Sequence, residues 1–264
     1  MKSEIESLFS KEFNKHPGVQ NAFLLVHSEN RDLHINIAEG TTRDTPSVPQ
    51  QPNYMASVGK LFTSSIIALL CEQKELSFDD KISRYLDEDL MNGLHIYKGK
   101  NYSCEIQIRH LLNQSSGLPD NFYPLLDQLI KNPGFRITPR EAVEWTKENL
   151  FPVAPPGKKA FYTDTNYHLL GLIVEEITGI PFHNALRDMI FEPLGMKHSW
   201  MLHYSDPAEP ANLPIADFFT DNIRLNDLEG FANIDYAGGS VVAPLEELLT
   251  FMKAIVNHQL LSED

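Results

Sequence analysis

Between Asn21 and Ala38 the hydrophobic pattern takes a period of two, and this restricts the fold more than any other stretch. Leu33, Ile35 and Ile37 alternate strictly with His34, Asn36 and Ala38, and a strand-like run, Asn21 to His27, precedes them across the polar turn Ser28 to Asp32. Successive strand residues face opposite ways, so the pattern predicts an antiparallel hairpin. A hairpin alone is marginal in water and needs further strands or a packed helix.

Helical spacing surrounds the hairpin. Ile5, Leu8, Phe9 and Phe13 predict a helix ahead of it, with Ser3 and Glu6 in a capping-box pattern and His16-Pro17-Gly18 as its stop. Thr41 to Asn53, carrying Pro46, Pro49 and Pro52, reads as a loop. Phe62, Ile66, Leu69 and Leu70 then form an apolar stripe, and Ile82, Tyr85 and Leu86 a shorter element. Helices are predicted at Ile108 to Leu112, Pro139 to Asn149 and Asn166 to Ile177, the last closed by Thr178-Gly179. Pro244 reads as the first residue of a final helix with Leu245, Leu248, Leu249, Met252 and Ile255 inward. The expected organisation is an α/β region from residues 1–53 and 218–264, and a mainly helical region from residues 54–217.

Ser57-Val58-Gly59-Lys60 opens the helical stripe. Residues three apart share a helix face, so Lys60 can set its amine against the Ser57 hydroxyl. A helix start also presents unpaired N–H groups and the positive end of a dipole, suited to a developing oxyanion. Burial is expected to lower the lysine pKa, making a neutral amine available as base. By itself the tetrad carries little weight, since about one chance match is expected in a chain this long.

Its surroundings carry more. Met55-Ala56-Ser57-Val58-Gly59-Lys60-Leu61-Phe62-Thr63 resembles the nucleophile helix of the penicillin-recognising serine hydrolases of the class C β-lactamase type. Glu75 to Ile82 resembles the segment after that helix, and Ile108-Arg109-His110-Leu111-Leu112-Asn113-Gln114-Ser115-Ser116-Gly117-Leu118-Pro119 the family's most recognisable interior stretch. Phe191-Glu192-Pro193-Leu194-Gly195-Met196-Lys197 and Gly238-Gly239-Ser240 follow in the family's order. The resemblance implies an α/β (α+β) fold of the β-lactamase/transpeptidase type: an antiparallel sheet flanked by helices, plus a mainly helical region, with Ser57 at the junction. It implies Ser57 as nucleophile and Lys60 as base.

The family's second motif, Tyr-x-Asn, is represented by Tyr162-Thr163-Asp164. The resemblance gives Tyr162 the shuttling of protons between nucleophile and leaving group. Asp164 takes the place of Asn, next to the substrate. An ionised Asp accepts hydrogen bonds but does not donate them, so it can hold Lys60 but offers no donor to a substrate amide. Its charge also favours a protonated Lys60. The expectation is a shift toward esters or atypical amides, or a blunted activity; the plainer alternative is that Asp164 only caps the helix from Thr165. His110 and the turn residues Ser115 and Ser116 are expected to be structural.

The family's third motif, Lys-Thr-Gly or His-x-Gly, has no counterpart after Gly239. The chain reaches Asp264 about where the family has three further core strands and a closing helix. The C-terminal strands are thus expected to be missing, leaving an incomplete sheet, a fragment or truncated protein, and an unpaired edge open to self-association. His16-Pro17-Gly18 matches the third pattern on paper but lies in the wrong part of the chain.

The formal net charge of -14 opposes nucleic-acid and anionic-membrane surfaces. No run approaches the ~20 apolar residues of a membrane span, and Met1 to Glu6 lacks the apolar core of a secretory signal, so a cytoplasmic protein is expected. Cys71 and Cys104 are expected to be buried free thiols. No metal spacing and no cofactor motif is present, so neither is expected. The function expected is hydrolysis of a small ester, amide or β-lactam-like substrate through an acyl-Ser57 intermediate. The alternatives are a weak or inactive binding or scaffold protein of the same fold, and a serine transacylase.

Overall fold

A computed structural model describes residues 1–210 and 212–262; Glu263 and Asp264, the end of the expected 218–264 segment, lie outside the described residues. Helix α1 (Lys2–Phe13) leads into strands β1 (Asn21–Ser28) and β2 (Leu33–Thr42), paired antiparallel from Asn21 opposite Gly40 to Ser28 opposite Leu33. This is the predicted hairpin. Its turn is a 3-10 segment, Glu29–Arg31, closed by Asp32 with φ +46°. Two expectations fail around it. Ser3 and Glu6 lie inside α1, which starts after Met1 with no side-chain cap. The expected loop from Thr41 instead contains the end of β2 and the short strand β3 (Thr45–Pro46), which joins the sheet in the order β1-β2-β3.

A second small sheet positions the chemistry. Strand β4 (Asn53–Tyr54) precedes the tetrad, and helix α2 (Gly59–Glu72) follows it. The helical region then runs through α3 (Glu88–Met91), the hairpin β5 (Ile96–Tyr97) and β6 (Lys100–Asn101), α4 (Ile108–Leu112), α5 (Phe122–Lys131), α6 (Pro139–Asn149), α7 (Thr165–Thr178) and α8 (Phe182–Leu186). The chain returns through β7 (Trp200–Met201), the hairpin β8 (Phe219–Thr220) and β9 (Ile223–Arg224), α9 (Phe231–Asp235), β10 (Val241–Ala243) and α10 (Leu245–Val256). Strand β10 lies between β4 and β7 and so ties the entry to the tetrad to the far end of the chain.

The main core forms where α2 and α7 meet. Phe62, Ile66, Ile67 and Leu70 of α2 and Leu169, Leu170, Ile173 and Val174 of α7 are buried together. Phe62 stacks on Phe251 of α10, ring centroids 3.9 Å apart, and meets Phe191 edge-on. Each such side chain withdrawn from water contributes roughly 1.5–3 kcal/mol. Helix α7 ends at Gly179 in the left-handed conformation, φ +69°, as Thr178-Gly179 predicts. The last helix follows expectation in part: Leu245, Leu248 and Ile255 pack on the core, but Phe251 and Ala254 are its most buried residues, Met252 is exposed, and Pro244 is its extended N-cap. Both cysteines are free, but Cys104 is exposed and Cys71 only half-buried, which corrects their expected burial. Among the described residues, no helix is long and apolar enough to cross a membrane.

Candidate active site

The backbone N–H of Met55 donates to the Val241 carbonyl at 2.8 Å, which fastens the tetrad's entry to β10. Ala56 then takes φ +46°, a conformation that costs an L residue roughly 1–2 kcal/mol. The chain turns there through a 3-10 segment, Ala56–Val58, into α2 and leaves Ser57 exposed. Lys60, one turn further on the same face, is buried beneath it. Its Nζ donates to Ser57 Oγ at 3.2 Å and to the Gly238 carbonyl at 2.9 Å, and is ion-paired with Asp164.

The third side is built from the interior stretch. The Gln114 carbonyl accepts from the Phe161 N–H at 2.8 Å, and the Gln114 side-chain oxygen accepts from the Thr163 N–H at 3.0 Å and Asn166 Nδ2 at 2.8 Å. Ser116 donates to Asn166 Oδ1 at 2.6 Å, and Thr163 and Thr165 donate to the Pro119 carbonyl. This buried network is why residues 108–119 sit where they do: they hold the Tyr162 segment. The hydroxyls of Tyr162 and Ser57 are 2.6 Å apart, and the Tyr162 ring lies 5.0 Å from Lys60 Nζ. His110 plays a structural part, accepting from the Gln107 N–H at its own helix start.

All four expected residues, Ser57, Lys60, Tyr162 and Asp164, therefore come together. Asp164 stands at the N-cap position of α7, but its side chain makes no cap hydrogen bond and pairs with Lys60 instead. The expected lowering of the Lys60 pKa is overturned. Burial does pull it down, but the charge and hydrogen bond of Asp164, with Tyr162 and Asp235 behind them, outweigh that and hold it above the usual lysine value. His16-Pro17-Gly18 lies exposed at the end of α1.

Several participants escape sequence reading. Asp235 is buried, accepts a hydrogen bond from the Tyr54 hydroxyl, and stands beside the same cluster. Asp120 accepts from the Asp164 N–H at 2.9 Å, and burial raises its carboxyl pKa. The reason for glycine in the Gly238-Gly239 motif also shows only here: a Cβ on Gly239 would meet the Ala56 carbonyl carbon at 2.7 Å, one on Gly59 would meet Gly239 Cα at 2.8 Å, and one on Gly238 would crowd the side chains of Asp164 and Asp235. The only signal for Asp235 was its place three residues ahead of Gly238. Among the described residues, no group of three or more His, Cys, Asp and Glu is arranged to hold a metal ion.

A serine, a buried lysine one helical turn later and a tyrosine on the serine hydroxyl, set on this fold, define the penicillin-recognising serine hydrolases. The chain belongs to the Beta-lactamase family, whose model matches residues 19–264. It is 31% identical over 193 residues to a putative D-alanyl-D-alanine carboxypeptidase of Escherichia coli (strain K12), covering 69% of this chain and 43% of that protein. Among solved structures, it matches a D-amino acid amidase from Ochrobactrum anthropi SV3 with TM-score 0.79 and 20% identity, over 100% of this chain and 73% of that one. It also matches an octameric penicillin-binding protein homologue from Pyrococcus abyssi with TM-score 0.77 and 22% identity, over 98% of this chain and 58% of that one. The chain spans less than half the length of the curated relatives it matches.

Proposed function

We propose that the chain is a serine acyl hydrolase that cleaves a small amide or ester through an acyl-Ser57 intermediate. The observation that carries this reading is that Ser57 Oγ lies within hydrogen-bond reach of both Lys60 Nζ, at 3.2 Å, and the Tyr162 hydroxyl, at 2.6 Å. A nucleophile touching two proton carriers is what acyl transfer requires. Ser57 Oγ attacks the carbonyl carbon while its proton passes to the Tyr162–Lys60 pair, with Lys60 in its neutral form. The pair returns a proton to the leaving nitrogen or oxygen as that bond breaks. Water then attacks acyl-Ser57 and gives a proton to the same pair, which passes it to Ser57 Oγ as the acyl–oxygen bond breaks and the acid leaves. No cofactor enters these steps. The relatives' names, a carboxypeptidase and an amidase for D-residues, favour small amides and peptides of D-amino acids as substrates. Self-association belongs to the same reading, because β1 is paired on one side only among the described residues and one structural relative is octameric.

The test is intact-mass spectrometry after exposure to a fluorophosphonate, with Ser57→Ala as control. A single adduct on the wild type, absent from the variant, is expected. The Lys60–Asp164 ion pair favours a second reading, a binding protein without turnover, because it keeps the base protonated. No adduct on a folded wild type at any pH from 6 to 10 would establish that second reading over the first.

A further inference from the structure

Beneath Ser57, more carboxylate is gathered than a Ser-Lys-Tyr mechanism needs. A Cβ placed on Gly238 would lie 3.0 Å from Asp164 Oδ1, 3.3 Å from Asp235 Oδ1 and 3.4 Å from Lys60 Nζ. Two carboxyls and one ammonium thus surround a single point, where a side chain on Gly238 would crowd all three. Asp235 is 4% exposed and Asp164 5% exposed. Asp164 and Lys60 neutralise each other, so a second ionised carboxylate there is unbalanced charge away from water. Asp235 is nevertheless built in. The Tyr54 hydroxyl donates to one of its oxygens, and the Tyr54 ring is stacked on Phe218, centroids 4.5 Å apart, which keeps that donor in place.

On this basis, and resting on the reading of Ser57 as nucleophile, we infer that Asp235 is a positioning residue of the site. Set across Gly238 from the Lys60–Asp164 pair and held by Tyr54, it fixes the charge of that pair and through it how readily Lys60 can take the Ser57 proton. The groups that face the cluster are Tyr54 on β4, Lys60 on α2, Tyr162, Asp164 with Tyr167 and His168 in the first turn of α7, and Asp120 ahead of α5. Burial lowers the His168 pKa. Burial first, and then the Asp164 charge, push the Asp235 carboxyl up to about 7, while the Tyr54 hydrogen bond and Lys60 oppose the rise. Below that pH Asp235 is neutral and Lys60 faces one carboxylate; above it Lys60 faces two and holds its proton more tightly.

The experiment is the pH dependence of fluorophosphonate labelling at Ser57 in the full chain, for the wild type, Asp235→Asn and Tyr54→Phe. In the wild type the rate is expected to rise with pH, level off over about one pH unit as Asp235 ionises near 7, and then rise again. In Asp235→Asn the rise continues without the break, and labelling at pH 9 is on the order of tenfold faster than in the wild type, the effect of one pH unit in the lysine. Tyr54→Phe removes a bond that favours ionised Asp235, so the break moves to higher pH; this variant keeps the carboxyl and serves if Asp235→Asn does not fold. Profiles in both variants that keep the wild-type break and differ only by a constant factor would overturn the inference. If Ser57 does not label at all, the nucleophile reading falls separately, and carboxyl-carbon NMR of labelled aspartate decides about Asp235. A signal titrating near neutrality and absent from Asp235→Asn supports its place in the cluster, and titration of every aspartate below pH 5 refutes it.

Discussion

Asp235 also ties the site to the stability of the fold. Its carboxyl is pushed from the ordinary value of 3.8 up to about 7, so the folded state binds a proton there that the unfolded chain has already released. Where the folded state binds more protons, stability falls as pH rises. The contribution of this group is therefore fully present below about pH 4 and lost by about pH 7. Its size is on the order of 4 kcal/mol, from a shift of about three pH units. Asp235→Asn is expected to flatten that part of the curve. Urea unfolding of both proteins at pH 4.5 and pH 7.5 checks this; an equal change in the two proteins would contradict it. Lys60 follows the same sign at higher pH. Its folded pKa is raised, so its stabilisation is complete below the ordinary lysine value and disappears only as pH climbs through the higher one.

At the scale of elements, α2 and the Gly238–Ser240 segment are locked by contact of bare backbone. Gly59→Ala places a methyl 2.8 Å from Gly239 Cα, where the neighbour is backbone and cannot swing away. A loss of about 1–3 kcal/mol is expected, typical of overpacking, together with slower Ser57 labelling because the Lys60–Gly238 hydrogen bond spans the same gap. Denaturant midpoints and labelling rates on one preparation measure both. Elements were legible where periodicity had room to develop. The β1–β2 hairpin showed a period of two, and α7 was marked by its apolar face and Gly179. Helix α5 passed unnoticed because Pro124 looks like a breaker, yet it occupies the first turn, where its missing N–H has no partner to lose. Strands β4, β7 and β10 have two or three residues each, too few to alternate, and their pairing joins distant parts of the chain. Ser57 and Lys60 stand at helical spacing but gained their weight from the motifs around them, and Tyr162 and Asp164 were legible from motif order. Tyr54 and Asp235 meet across 181 positions and leave no local trace.

For the molecule as a whole, the net charge of -14 sets how ligands arrive. A body of that sign repels anions over a Debye length of about 8 Å at physiological salt, and added salt shortens that range. Labelling of Ser57 by an anionic penicillin is expected to accelerate severalfold between 20 and 300 mM NaCl, while a neutral fluorophosphonate is unaffected. Stopped reactions read by intact mass separate the two, and identical salt responses would show that global charge does not reach the cleft. One further consequence lies in Gln114, whose side-chain oxygen receives both the Thr163 amide and the Asn166 side chain across about fifty residues. Local helices form early and such distant clasps late, since loop closure must come first. The tyrosine arm of the cleft thus depends on a long-range closure, whereas the spacing of serine and lysine on one turn is local and only their seating against Val241 and Gly238 is distant. If Ser57 and Lys60 act as proposed, labelling of Ser57 during refolding is expected to lag behind helix formation, since the tyrosine that completes the site docks through contacts distant in sequence.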